Sequence, residues 1–133
     1  MFSYQYQIKF SDCDPAGILF FGNIFKICHD AFEDLLLNEE ISQVYFSRRD
    51  HLFPVYTAKS VFVKKMELHK QIYILIRCED LRENSFSLVH LIVDAEGNEL
   101  ASVETVHISL DSKNGSKSAI PQYLIDVLKR YQN

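Results

Sequence analysis

Tyr4, Tyr6, Ile8 and Phe10 alternate with Ser3, Gln5, Gln7, Lys9 and Ser11, and this period of two predicts a half-buried strand ending near Phe10. Past a loop at Asp12 to Gly17 the period lengthens. Asn23 has the side chain of an N-cap, and Ile24, Ile27, Cys28, Ala31 and Leu35 follow helical spacing, with Phe25, Phe32 and Leu36 widening the stripe. A helix apolar over most of its circumference has to be wrapped by other elements. From Asn38 to Asp50 the pattern weakens to loop or a short second helix. After Pro54 the texture is β: Val55 to Met66, Gln71 to Cys78, Ser85 to Val93 and Leu100 to Leu110 are rich in Val, Ile, Phe and Thr. The breaks at Glu67 to Lys70, Glu79 to Asn84 and Asp94 to Asn98 are too short for helical crossovers, so hairpins and an antiparallel sheet are expected. Asp111 to Ala119 reads as a solvated loop, and Pro121 opens a C-terminal helix through Tyr131. The expectation is an α+β fold in one domain over residues 1–133, with five strands and one long helix.

Composition narrows the partners. The 133 residues are 47% hydrophobic and 24% charged, ordinary for one domain with its own core. Fourteen Lys and Arg stand against 18 Asp and Glu, a formal charge of -4, which argues against a nucleic-acid binder. Cys13, Cys28 and Cys78 are odd in number and widely spaced, so they read as reduced thiols rather than a metal or redox pair. The start has no basic and apolar leader, and no stretch is long enough for a membrane span, which makes a cytoplasmic protein the expectation.

Candidate chemistry concentrates in Asp12-Cys13-Asp14-Pro15-Ala16-Gly17. The spacing of Asp12, Asp14 and Gly17 suggests a calcium loop, but Ala16 and Asn23 stand where an EF-hand needs oxygen ligands. A paired-aspartate phosphotransfer site would need a parallel α/β sheet, which the short β connections exclude. Asp and Pro also build turns for purely local reasons. What lifts this loop above a plain turn is its sequel: Phe20, Phe21 and the N-terminus of a buried helix, whose unpaired N–H groups can polarise a carbonyl oxygen beside the carboxylate.

Phe10-Ser11-Asp12-Cys13-Asp14-Pro15-Ala16-Gly17-Ile18-Leu19-Phe20-Phe21-Gly22-Asn23 closely resembles the signature of the 4-hydroxybenzoyl-CoA thioesterase family, and a weaker likeness continues through Phe62, Asn84-Ser85-Phe86 and the Gly97 turn leading to Ala101. The resemblance implies the hotdog fold, a curved antiparallel sheet wrapped around one long helix, with subunits joined through their sheets and active sites between them. It also implies that Asp14 is the catalytic carboxylate, as nucleophile or as base for water, and that the Phe21 backbone amide hydrogen-bonds the thioester oxygen. Such a pair suffices chemically, because a thiolate leaves readily. No metal or organic cofactor is expected, coenzyme A being part of the substrate.

Gly17, Phe20, Gly22 and Asn23 are the substrate-side candidates of the loop. Phe20 and Phe21 read equally well as acyl-pocket lining or as plain core. By the resemblance, His29 occupies a position that approaches the acyl ring's hydroxyl from a neighbouring subunit, while Arg82, Asn84 and Ser85 fall in the stretch that binds the nucleotide of coenzyme A. Lys64, Lys65 and Lys70 are further anion candidates. The sequence departs from the family at Lys65 and His69-Lys70, where members often carry Pro and then Gly-Asp. His90 and His107 lie within strands and read as satisfied structural histidines.

The helix segment Cys28-His29-Asp30-Ala31-Phe32-Glu33 is similar to the branch that hydrolyses 1,4-dihydroxy-2-naphthoyl-CoA, which favours a hydroxylated aromatic acyl group over a short or medium aliphatic one. A dehydratase would want an acid–base His in the loop, and Asp12 to Asn23 contains none. A non-catalytic acyl-CoA sensor has no need of Asp14. A homodimer or homotetramer is expected, because an exposed sheet edge is a liability in a monomer.

Overall fold

The computed structural model describes all residues 1–133. Seven strands and three helices follow the chain in the order β1 (Phe2–Gln7), α1 (Asn23–Asn38), α2 (Ser42–Tyr45), β2 (His51–Leu52), β3 (Val55–Phe62), β4 (Gln71–Leu81), β5 (Ser85–Val93), β6 (Glu99–Ile108), β7 (Leu110–Asp111) and α3 (Gln122–Arg130). Five strands form one antiparallel sheet in the order β1-β4-β5-β6-β3, and β2 with β7 makes a small separate ribbon. Helix α1 buries Ile24, Ile27, Cys28, Ala31, Phe32, Leu35 and Leu36 against the sheet's concave face. This is the wrapped helix that the apolar circumference required. No helix is long and apolar enough to cross a membrane, and all three cysteines are free thiols.

Three expectations change. Strand β1 stops at Gln7, and Phe10–Asp12 forms a single 3-10 turn with Phe10 80% exposed, because Asp12 pulls the chain back onto itself. Asn23 is the first residue of α1 and Gly22 takes the cap position, so the Asn23 side chain does not cap the helix. The break at Glu67 to Lys70 is no hairpin. Strand β3 ends at Phe62 and pairs only with β6, so the chain crosses from the outer edge back to β4 beside β1.

Register sets the shape of the concave face. Residues directly opposite one another form rows across the sheet: Tyr4–Ile74–Ile92–Ala101–Phe62, then Phe2–Ile76–His90–Val103–Ser60, then Cys78–Leu88–Thr105–Ala58, then Leu81–Phe86–His107–Val55. A bulge between Val55 and Thr57 brings Val55 into phase with the row of His107. Each of the two middle rows ends on β3 with a small side chain, Ser60 or Ala58. The core is therefore filled under β4 and β5 and left open beside β3.

Candidate active site

The loop before α1 is built by short-range chemistry. Asp14 to Gly17 closes a turn through the Gly17 N–H donating to the Asp14 carbonyl at 3.0 Å, with Pro15 pre-set at its second position and Gly17 at φ +77°, where a side chain would be strained. The Asp14 Oδ1 accepts the N–H of Ala16 at 2.9 Å and of Ile18 at 3.4 Å, while its Oδ2 has no partner in the chain. Asp12 ties the loop to β1: its Oδ2 accepts the Tyr6 hydroxyl at 2.7 Å and the Lys9 N–H at 2.8 Å, while its Oδ1, like the Asp14 Oδ2, has no partner in the chain. Burial and that hydrogen bond push the Tyr6 phenol well above its usual range.

Two further ties fix the loop. The Asn23 Nδ2 donates to the Asp12 carbonyl at 2.9 Å, joining the helix start to the aspartate turn. From the middle of the chain, the Leu19 N–H donates to the Met66 carbonyl at 2.8 Å and the Leu68 N–H to the Gly17 carbonyl at 2.9 Å. The segment after β3 thus clamps the loop instead of extending the strand.

At the start of α1 the N–H groups of Phe21 and Gly22 make no hydrogen bond within the chain, and no acidic residue occupies the first helical turn. These donors point where a helix attracts negative charge. Phe20 and Phe21 are 47% and 63% exposed with ring centroids 4.8 Å apart, so they are not core. The Phe21 side chain borders a cleft of about 290 Å³ shared with Ile18, Phe62, Lys64 and Lys65. Lys70 joins Lys64 and Lys65 along an adjoining cleft of about 600 Å³.

One chain gathers Asp14, Gly17, Phe20, Phe21, Gly22 and Asn23, with Lys64 and Lys65 alongside. It does not bring Arg82, Asn84 and Ser85 to them. Those residues form the β4–β5 hairpin, where the Arg82 N–H donates to the Ser85 carbonyl and the Ser109 N–H to the Asn84 carbonyl, both at 2.8 Å. That hairpin adjoins the row of Phe86, six residues along β5 from the row of Ile92 and Phe62, or roughly 20 Å at strand rise.

Between these ends lies a cavity of about 410 Å³ beside Phe25, His29 and Phe32 of α1, floored by Ala58, Leu88, His90, Thr105 and His107. His29 is exposed on the helix. His90 and His107 are 2% and 3% exposed, and here the sequence reading fails in part: both are buried, but His107 keeps a buried nitrogen without a partner. The His90 Nδ1 donates to the Val103 carbonyl at 3.3 Å, and no group of the chain reaches its Nε2. His107 shares its Nε2 with the Thr105 hydroxyl at 3.0 Å and leaves its Nδ1 buried without a partner at hydrogen-bonding geometry. Burial drives both imidazoles down to about 4, only partly offset by the backbone of Val103 and Phe53 respectively, and mutual repulsion with His29 adds to the fall. Only register could have revealed this strip, since its members come from two strands and a helix.

The family model of the thioesterase-like superfamily matches residues 8–128, from the end of β1 into α3. The chain belongs to that superfamily. Among curated relatives, it is similar to a 1,4-dihydroxy-2-naphthoyl-CoA hydrolase of Thermosynechococcus vestitus, 29% identical over 95% of this chain and 87% of the relative. A protein of the same name from Nostoc punctiforme is 26% identical over 96% of this chain and 86% of its own. The crystal structure of a 1,4-dihydroxy-2-naphthoyl-CoA thioesterase from Synechocystis superposes with a TM-score of 0.90 at 25% identity, covering 96% of this chain and 95% of that one. The hotdog architecture and membership among thioester hydrolases agree with the reading of the loop and the wrapped helix.

Proposed function

We propose that this thioesterase hydrolyses a hydroxylated aromatic acyl-CoA to the free acid and coenzyme A, with Asp14 as the catalytic carboxylate and the Phe21 N–H polarising the thioester carbonyl. The observation that carries the reading is the division of labour within Asp14: Oδ1 is tied down by two backbone N–H groups and Oδ2 is free, in the same loop as two unpaired helix-start donors. The names of the curated relatives support the choice of acyl group.

The carbonyl oxygen would lie at the Phe21 N–H, where the helix start stabilises the charge that develops on it. In one route Oδ2 takes a proton from water as the water oxygen bonds to the carbonyl carbon. The C–S bond then breaks, its electron pair leaves on sulfur, and the proton returns to give the free thiol. In the other, Oδ2 itself bonds to the carbonyl carbon, the thiolate leaves, and water cleaves the resulting anhydride to restore the carboxylate. Single turnover in labelled water separates them, since only the second route puts label into Asp14.

Replacing Asp14 by Asn keeps the Oδ1 acceptor and hence the turn. The expected outcome is a fall in kcat of about 10²–10⁴-fold with an unchanged melting temperature. Activity within a few-fold of wild type would overturn the role of Asp14, and binding without turnover by wild type on every thioester would favour the sensor alternative.

Strand β3 is an open edge carrying Val55, Tyr56, Val61 and Phe62, all exposed, which supports antiparallel pairing with a second copy. A two-fold axis there would reverse the ends of the sheet, carrying the partner copy's β4–β5 hairpin toward this chain's loop and offering Arg82 to the phosphates of coenzyme A. Sedimentation should give a dimer or tetramer at micromolar concentration; a monomer would remove that role from Arg82.

A further inference from the structure

We infer that His90 is a specificity-determining residue whose Nε2 accepts a hydrogen bond from a hydroxyl on the substrate's aromatic ring, the ring lying in the cavity between α1 and β3. The inference rests on the thioesterase reading and deepens it. Its basis is the tautomer. The Val103 carbonyl can only accept, so the His90 Nδ1 must carry the proton, and in the neutral ring Nε2 is a bare lone pair. Burial holds the ring neutral, with a pKa near 4. A side chain 2% exposed with an unpaired acceptor at a cavity wall calls for a donor from outside the chain.

The rest of the cavity chooses among donors. Phe25, Phe32, Val55 and Leu88 make it largely apolar, the His90 N–H is already committed to the Val103 carbonyl, and the one lysine of the lining, Lys26, is paired with Asp30. Its volume of about 410 Å³ accommodates a fused ring system. Position agrees as well. Phe25, His29 and Phe32 follow one stripe of α1, and Phe21 precedes Phe25 by four residues at the entry to the helix, so the cavity begins about 6 Å beyond the Phe21 N–H. The His90 row lies one step, roughly 7 Å, along the sheet from the Phe62 row that borders Phe21. A carbonyl at Phe21 therefore places the far side of a hydroxyaryl ring at His90, whereas His107 lies two rows further and serves as wall. An aliphatic or unhydroxylated acyl group leaves the Nε2 unpaired, and a site built for a hydroxyl penalises a substrate that lacks it.

The test compares kcat/KM for 1,4-dihydroxy-2-naphthoyl-CoA and 2-naphthoyl-CoA in wild type and His90→Leu, which keeps the apolar wall and removes the acceptor. Wild type should prefer the hydroxylated substrate by at least tenfold, and His90→Leu should erase most of that ratio while leaving 2-naphthoyl-CoA turnover equal or higher. An unchanged ratio, or an equal fall on both substrates, would overturn the inference. A readout free of folding effects is the ¹⁵N signal of the His90 Nε2 in the wild-type protein, titrated with 1,4-dihydroxy-2-naphthoate or with 2-naphthoate. A shift toward hydrogen-bonded nitrogen with the first acid alone supports the inference, and no shift with either, or the same shift with both, defeats it. Failure of wild type to cleave any aromatic thioester would instead defeat the proposed function, a result the nitrogen titration does not produce.

Discussion

The loop before α1 and the histidine strip of the sheet both set titratable groups beside apolar space, and they do so in opposite ways. In the loop, carboxylates sit near the surface and are steadied by neighbours: Asp14 by Ala16 and Ile18, Asp12 by Tyr6 and Lys9. In the strip, imidazoles are buried with one nitrogen bonded, and the nitrogen on the far side of each ring has no partner in the chain. In the proposed function the loop supplies the reagent, the free oxygen of Asp14, and the strip supplies the sieve, the acceptor on His90. Reactivity here needs only a few adjacent residues, whereas recognition needs strands in register.

The sharpest break of the comparison is Asp14→Asn, expected to remove turnover by orders of magnitude while leaving stability in place. The strip should respond through stability instead. Both buried histidines have folded-state values near 4, below the ordinary 6.5, so the unfolded chain binds protons first as pH falls. Their contribution is complete above about pH 6.5 and is lost as pH drops toward 4, by roughly 3 kcal/mol for each imidazole. Urea unfolding at pH 7 and pH 4.5 checks this: wild type should lose stability between the two, and His90→Leu should lose distinctly less. Equal slopes would mean that His90 is hydrated in the folded chain. The smallest effect is expected at Gly17→Ala. Its added Cβ would meet nothing within 4 Å, so only the positive φ is penalised, by about 1–2 kcal/mol. A melting temperature unchanged by that substitution would show that the loop relaxes without cost, and that Asp14 is less firmly steadied than its hydrogen bonds imply.

How much of this was legible in the sequence follows the same division. The turn, its Pro15 and Gly17, the long helix and the β segments are local signals, and each stands close to where its pattern put it. Asp12 and Asp14 are visible as a pair, but nothing local shows that Asp12 is tied to β1 through Tyr6 while Asp14 bonds only within its own turn. The crossover after Phe62 was missed because a short break between apolar runs imitates a hairpin, and only the pairing of β3 with β6 distinguishes them. For His90 and His107 a strand pattern shows which face the side chain takes, not whether each ring nitrogen finds a partner there. The exposure of Phe20 and Phe21 was a choice between two readings that packing alone could make.

The clamp on the aspartate loop also bears on the order in which the molecule comes into being. Gly17 and Leu19 are held by Leu68 and Met66, residues made about fifty positions later in the chain. Long-range contacts of this kind form late, after the entropy of closing the intervening segment has been met. A nascent chain therefore carries its carboxylate well before it carries a rigid seat for it. That seat is complete only once the segment between β3 and β4 has arrived.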